Sequence, residues 1–208
     1  MAEAVLRLAE AGRELNRIVM ARVVFRRAQP PDYPAILRLQ SANFIANLSA
    51  EERKEGFLSA QFAPGQVSRM AEDLGTTLAT SNGEVLGFLC AFRNEFDHGS
   101  PVIAKMLDAY DRVTFDGKPL RSYRSYIYGP VCIHRDHRRR GLLRGLYEAQ
   151  QQDLAGQFDV GVAFVSRSNP YSLDAHIAGL AMTEVGDFEL MGNVYVILAF
   201  RLPPPSAS

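Results

Sequence analysis

The sequence predicts an α/β fold: a mixed central β-sheet of six or seven strands with helices on both faces. Three observations lead there. Short β-rich runs and longer amphipathic stretches follow one another in the order β, two or more helices, β-hairpin, β, α, β, α, β, β. Two strand pairs meet at tight turns, Ser81-Asn82-Gly83 and Gly192-Asn193, where Asn and Gly supply the positive φ angles a hairpin needs. The chain has 208 residues, 47% of them hydrophobic, which lets one domain bury a full core without disulfides or metal.

In chain order, residues 1–20 read as an amphipathic helical extension, with Val5, Leu8, Leu15, Ile18 and Val19 among charged residues. It either precedes a natural start at Met20 or docks on the domain or on the second subunit of a homodimer. The domain itself spans 21–202. Val23-Val24-Phe25 is its first strand, and Pro30-Pro31-Asp32 ends it. A helix follows through Ile36, Leu37 and Leu39 to about Ala46. Ser49-Ala50-Glu51-Glu52 is a capping box, predicted to open a second helix running to Phe57-Leu58. Another helical stretch precedes Gly75.

Strands at Thr76–Thr80 and Val85–Phe92 flank the Asn-Gly turn. Residues 94–122 are less regular, with a helix at Val102–Tyr110 and a turn at Asp116-Gly117-Lys118-Pro119. They read as an excursion over one edge of the sheet. Ser125–Ile133 is a strand and Gly141–Ala155 a helix stopped by Gly156. A buried-type strand at Val160–Val165, a helix at Pro170–Leu180 and strands at Thr183–Leu190 and Val194–Leu202 complete the domain. The tail at 203–208 is expected to carry no regular structure.

Charge excludes some partners. Lys plus Arg and Asp plus Glu both total 23, so no global field draws the chain to nucleic acid or membrane. Any functional positive charge must be local. Cys90 and Cys132 form no CxxC pair and sit in apolar runs, as buried thiols in a reducing cytoplasm would. No apolar stretch is long enough for a membrane span, and the N-terminus lacks the pattern of a signal peptide. No metal site is expected.

The chemistry-bearing segment runs from Tyr128 to Glu148: a strand, a basic loop and a helix. Arg135, Arg138, Arg139, Arg140 and Arg144 crowd the loop and the first helical turn. There they oppose the helix dipole, whose N-terminal end is already positive. Only Asp136 offsets them locally, and a polyanionic ligand would do so better. Free helix N–H groups, the dipole and arginines together make an anion cradle. Gly141 lets that ligand approach the backbone closely. A solvated basic face and a nucleic-acid patch are the competing readings.

Strand, Arg138-x-x-Gly141, then an amphipathic helix resembles the pyrophosphate loop of the GNAT acetyltransferases, whose pattern is Gln/Arg-x-x-Gly-x-Gly/Ala. Leu143 departs from it, and Gly145 is expected to relieve the crowding. Phe25-Arg-Arg-Ala-Gln-Pro-Pro-Asp-Tyr-Pro-Ala-Ile36 is similar to that family's first strand and its turn into a helix. Asn169-Pro-Tyr-Ser172 resembles its second cofactor segment, although Asn then Pro is also an ordinary helix start. The resemblance covers residues 22–201.

It implies direct transfer of an acetyl group from acetyl-CoA, as acyl donor, to an amine. Implied cofactor contacts are Val131, Cys132 and Ile133 at the thioester, Arg138, Arg139, Arg140, Gly141, Leu142, Leu143 and Arg144 at the pyrophosphate, and Asn169 and Ser172. Gly129-Pro130 is expected to mark a bulge that frees strand amides for the developing oxyanion. For the proton on the leaving thiolate the resemblance points to the helix after Asn169, with His176 ahead of Tyr171. Leu173, Ile177 and Leu180 form the expected buried stripe of that helix, with His176 beside it. Glu95, Asp97 and His98 stand where a base could be, and Cys132 lies near the thioester. A non-catalytic acyl-CoA-binding sensor or assembly module stays open as the alternative. Residues 44–70 and 94–122 are the expected acceptor loops. The acceptor itself is unknown.

Overall fold

The structure is a computed structural model that describes residues 23–59, 61–96 and 99–205. The expected helix over 1–20 and the last three residues of the tail lie outside the described residues, as do Asp97 and His98. Among the described residues nine strands and six α-helices follow one another. These are β1 (Val24–Arg27), α1 (Tyr33–Ala42), α2 (Ala50–Arg53), α3 (Pro64–Glu72), β2 (Thr76–Ser81), β3 (Glu84–Arg93) and α4 (Pro101–Asp108). Then come β4 (Thr114–Phe115), β5 (Lys118–Pro119), β6 (Ser125–Ile133), α5 (Leu142–Leu154), β7 (Val160–Ser166), α6 (Pro170–Leu180), β8 (Thr183–Leu190) and β9 (Asn193–Arg201).

Seven strands form one mixed sheet in the order β1-β2-β3-β6-β7-β9-β8, within the predicted six or seven. Only β6 and β7 run parallel. Alternation along each strand builds two apolar layers. Phe88, Cys90, Phe92, Ile127 and Cys132 face α1, α3 and α4, which contribute Ile36, Leu39, Val67, Met70 and Met106. Leu89, Ala91, Tyr126, Tyr128 and Val196 face α5 and α6, which contribute Leu142, Leu146, Leu154 and Leu180. Among the described residues no helix is long and apolar enough to cross a membrane.

Local signals translate directly. Asn82 and Gly83 both take positive φ, 50° and 81°, and close the β2–β3 hairpin. The capping box forms, with Ser49 Oγ accepting from the Glu52 N–H and Glu52 Oε2 from the Ser49 N–H. The helix it opens is a single turn, however, and does not reach Phe57-Leu58. Gly56 at φ 92° turns the chain, and Leu58 bridges Phe44 instead. α1 likewise stops at Ala42, short of Ala46, and a 3₁₀ turn at Ile45–Asn47 follows. The 94–122 excursion carries α4 and the small β4–β5 hairpin, whose Asp116 pairs with Arg201 of β9 at 2.8 Å.

The feature that makes a site is a split in the middle of the sheet. β6 pairs with β7 at only three positions, ending at Ile127↔Val162. β7 stays with β9 as far as Ser166↔Tyr195. On its other side β6 shifts register against β3, from Ala91↔Tyr128 to Leu89↔Val131. The skipped residues are Gly129 and Pro130, where the bulge is expected; proline has no N–H for the ladder. Past Ile127 the two parallel strands diverge and leave a V between them.

Candidate functional site

The loop after β6 delivers α5 with its first turn open. Gly141 is the N-cap at φ 83°, and no side chain caps the helix. Among the described residues, none of the backbone N–H groups of Arg139 through Arg144 has an acceptor. Six consecutive unclaimed amides at a positive dipole end fit a pyrophosphate.

Four of the five arginines around them are already engaged. Arg138 is a clasp. It donates from Nε to Ile133 O at 3.3 Å, and from its two terminal nitrogens to Glu55 O at 2.8 Å and Asn43 Oδ1 at 2.5 Å. Arg135 pairs with Glu52 at 2.8 Å and Arg139 with Glu55 at 2.9 Å. Arg144 donates to Gly179 O at 2.5 Å and lies 3.8 Å from Glu148. Within the loop Asp136 is the one carboxylate, as expected, but it lies 3.8 Å from His134, and Arg135 and Arg139 find theirs elsewhere. Glu52 and Glu55, some eighty residues upstream, bring the compensating carboxylates. The Glu52 carboxyl is pushed down to about 2, first by the Ser49 N–H, then by the Ser49 hydroxyl and Arg135.

A cleft of about 330 Å³ runs from this turn to the split. Val131, Cys132, Ile133, Arg138, Arg139, Gly141, Leu142, Leu143, Arg144, Asn169, Tyr171, Ser172 and His176 all line it. Arg140 does not line it and makes no ion pair with a described residue. Gly145 faces away from it: a Cβ there would stand 2.1 Å from Phe25 Cζ, so its smallness serves packing on β1, not the crowding at Leu143. Asn43, Glu55 and Gly56 also line the cleft and were not singled out in the sequence. They come from α1 and the turn after α2, and nothing local marks them.

A second cleft of about 450 Å³ opens on the α1–α4 side of the split. It shares Phe57, Leu58, Val131, Asn169, Ser172 and His176 with the first, so the two meet there. Much of its wall comes from the expected acceptor loops, including Phe62, Met70, Val102 and Ile103.

α6 stands at the junction. Asn169 caps it, Oδ1 accepting from the Ser172 N–H at 3.3 Å, while Nδ2 donates to Phe57 O at 3.1 Å. The side chain thus serves as a helix cap and a tether between the cleft walls. His176 is only 4% exposed, whereas Ile177 is 37% exposed. The helix is therefore rotated from the expected stripe, and the histidine, not the isoleucine, points inward. His176 Nδ1 sits 2.7 Å from Ser172 O, which assigns its proton to Nδ1 and leaves Nε2 as an acceptor. Burial holds its pKa below the ordinary value. A neutral imidazole of this tautomer is poorly suited to donate a proton, the role expected of it, and is suited to accept one.

Tyr171 lines only the first cleft, its ring edge against Gly56. Its hydroxyl and Glu55 hold Arg139 charged. Cys132 is buried with Sγ 3.8 Å from Leu39 O, and desolvation pushes its thiol up to about 12. It is no nucleophile at neutral pH. Glu95 is exposed and lines neither cleft.

Solved structures share this architecture. A protein of Desulfovibrio desulfuricans assigned to the GNAT acetyltransferases is 14% identical; the match covers 87% of this chain and 99% of that one, with a TM-score of 0.56. A ribosomal-protein-alanine N-acetyltransferase of Brucella melitensis is 15% identical over 86% and 99%, with a TM-score of 0.57. The protein yncA of Salmonella typhimurium, described as an acetyltransferase and solved with its cofactor acetyl-CoA, is 16% identical over 89% and 97%, with a TM-score of 0.54. No family model and no curated protein sequence matches the chain. The chain has the GNAT acetyltransferase fold.

Proposed function

We propose that the protein is an N-acetyltransferase that moves an acetyl group from acetyl-CoA directly to an amine. The observation that carries this reading is the meeting of two clefts across the β6–β7 split, one of them ending on the six unclaimed amides of Arg139–Arg144. Bound acetyl-CoA supplies a thioester carbon open to attack. The chain's own groups do the rest. The amides and Arg139 hold the pyrophosphate. The freed edge of β6 at Val131–Ile133 offers N–H groups toward the oxygen on which charge develops. In the transfer a C–N bond forms, the C–S bond breaks, the amine gives up a proton and the sulfur takes one. His176 Nε2, at the junction, accepts the amine's proton. We assign the sulfur's proton to Tyr171, which lines the first cleft alone.

The test is thiol release from acetyl-CoA with a panel of amines, coupled to mass spectrometry of the product. An acetylated amine formed at a rate above the protein-free blank is expected. The rival reading, a module that binds acyl-CoA without turnover, draws on one observation: among the described residues lining the second cleft there is no carboxylate base. Tight CoA binding with no acetylated product from any amine would decide for it.

A further inference from the structure

We infer that Asn169 is a positioning residue: its amide latches the chain at Phe57 where the two clefts meet, and so sets the passage through which donor and acceptor face each other. This rests on the acyl-transfer reading and deepens it, since the resemblance to the GNAT family assigns the same side chain to the cofactor. Six residues line both clefts: Phe57, Leu58, Val131, Asn169, Ser172 and His176. The passage therefore has three sides, which are β6 at Val131, the first turns of α6, and the chain at 57–58. Glu55 and Gly56 line only the first cleft, and Ser59, Gln61 and Phe62 only the second. The chain thus crosses from one cleft to the other at Phe57-Leu58.

Two of these sides are built into the core. β6 pairs with β3 through Val131, and α6 packs on the sheet through Leu180 and His176, the His176 and Tyr128 ring centroids lying 5.6 Å apart. The third side belongs to no helix or strand. Leu58 is tied to the end of α1, its N–H donating to Asn43 O at 2.8 Å and its carbonyl accepting from the Ile45 N–H at 2.9 Å. Toward α6, the Phe57 carbonyl accepts from Asn169 Nδ2 at 3.1 Å. Asn169 is buried, and its Oδ1 caps α6 through the Ser172 N–H at 3.3 Å. One amide group therefore does two separable things: its oxygen holds the helix and its nitrogen holds the partition. The unclaimed amides of Arg139–Arg144 lie on another element, so loss of the latch leaves the pyrophosphate's partners in place. What it disturbs is alignment at the junction, where a shift of about 1 Å can cost on the order of a hundredfold in rate.

Asn169→Ser and Asn169→Thr keep an oxygen for the cap, lose the donor to Phe57 and add no charge. In the full-length protein both should hold CoA affinity, measured by calorimetry, within about twofold of the parent. Hydrogen exchange at the Leu58 amide should quicken about three- to tenfold, the effect of one lost hydrogen bond nearby, while the first turn of α6 stays protected. Turnover is read with acetyl-CoA and whichever of benzylamine, spermidine and an alanine-terminated peptide the parent acetylates fastest. There kcat should fall by about tenfold or more. A loss of CoA affinity of about tenfold in both variants makes Asn169 a cofactor ligand and overturns the inference. An unchanged kcat, or an unchanged exchange rate at Leu58, overturns it too and leaves the acyl-transfer reading intact. If the parent binds CoA and acetylates none of the amines, the acyl-transfer reading falls, and affinity and exchange decide the latch by themselves. Where the threonine crowds the cap and prevents folding, the serine variant carries the test.

Discussion

At Gly161 the β7 backbone lies against Phe200, and a Cβ would stand 2.2 Å from the ring. That ring is buried and hemmed in by Tyr126, Tyr128 and Tyr147, with centroids 6.3, 5.5 and 4.9 Å away. It cannot swing aside, so Gly161→Ala should cost about 1–3 kcal/mol through overpacking. Gly145→Ala meets Phe25 as closely, but Phe25 is half-exposed and can turn out, and alanine favours the helix. Denaturant titration should rank Gly161→Ala as the worse of the two, and a reversed order would show that Phe25 is the more firmly held ring. His176 gives a pH prediction. Burial depresses its folded pKa below 6.5, so below that pH the unfolded chain takes up a proton the folded chain refuses. Stability is whole above about pH 6.5 and drains as pH falls; His137, depressed chiefly by burial too, adds in the same direction. Denaturation midpoints at pH 7.5 and 5.5 should differ less in His176→Gln than in the parent. An unchanged difference would mean that the buried imidazole accepts its proton in place.

Among the elements, Arg138 joins three: it reaches the end of α1 through Asn43, the turn after α2 through Glu55, and its own strand through Ile133. Removing it leaves the buried Asn43 Oδ1 without its donor, a loss of about 1–3 kcal/mol. A lysine cannot span three acceptors with one point charge. Arg138→Lys and Arg138→Ala should therefore both lower Tm and weaken CoA binding in calorimetry; full retention by Arg138→Lys would show that charge suffices. Elements whose signal lies within a few residues were legible in the sequence: the Asn82-Gly83 hairpin, the Ser49–Glu52 capping box, and the strand, loop and helix from Ser125 to Leu154. Elements decided elsewhere were not. One glycine, Gly56, cuts α2 to a turn, and the packing of α6 against Tyr128 selects His176 over Ile177 as its inward face, with the two rings 5.6 Å apart.

For the molecule as a whole, the element order sufficed to anticipate the mixed sheet, and Gly129-Pro130 the place where β6 bulges. Which carboxylates would meet the arginine loop was not readable, because Glu55 lies 84 residues from the Arg139 it pairs with. On the proposed function their position bears on turnover. Arg139 already holds a carboxylate, Glu55 at 2.9 Å, so on the proposed function an arriving polyanion would compete with Glu55 for that guanidinium. The pair is exposed, so its hold is weak, and Glu55→Gln should tighten CoA about two- to fivefold. If product departure limits the cycle, kcat should fall by the same factor in steady-state assays at low salt, and the two effects should fade together as ionic strength rises. The intramolecular carboxylate would then act as a built-in competitor, setting how briefly the exhausted carrier stays.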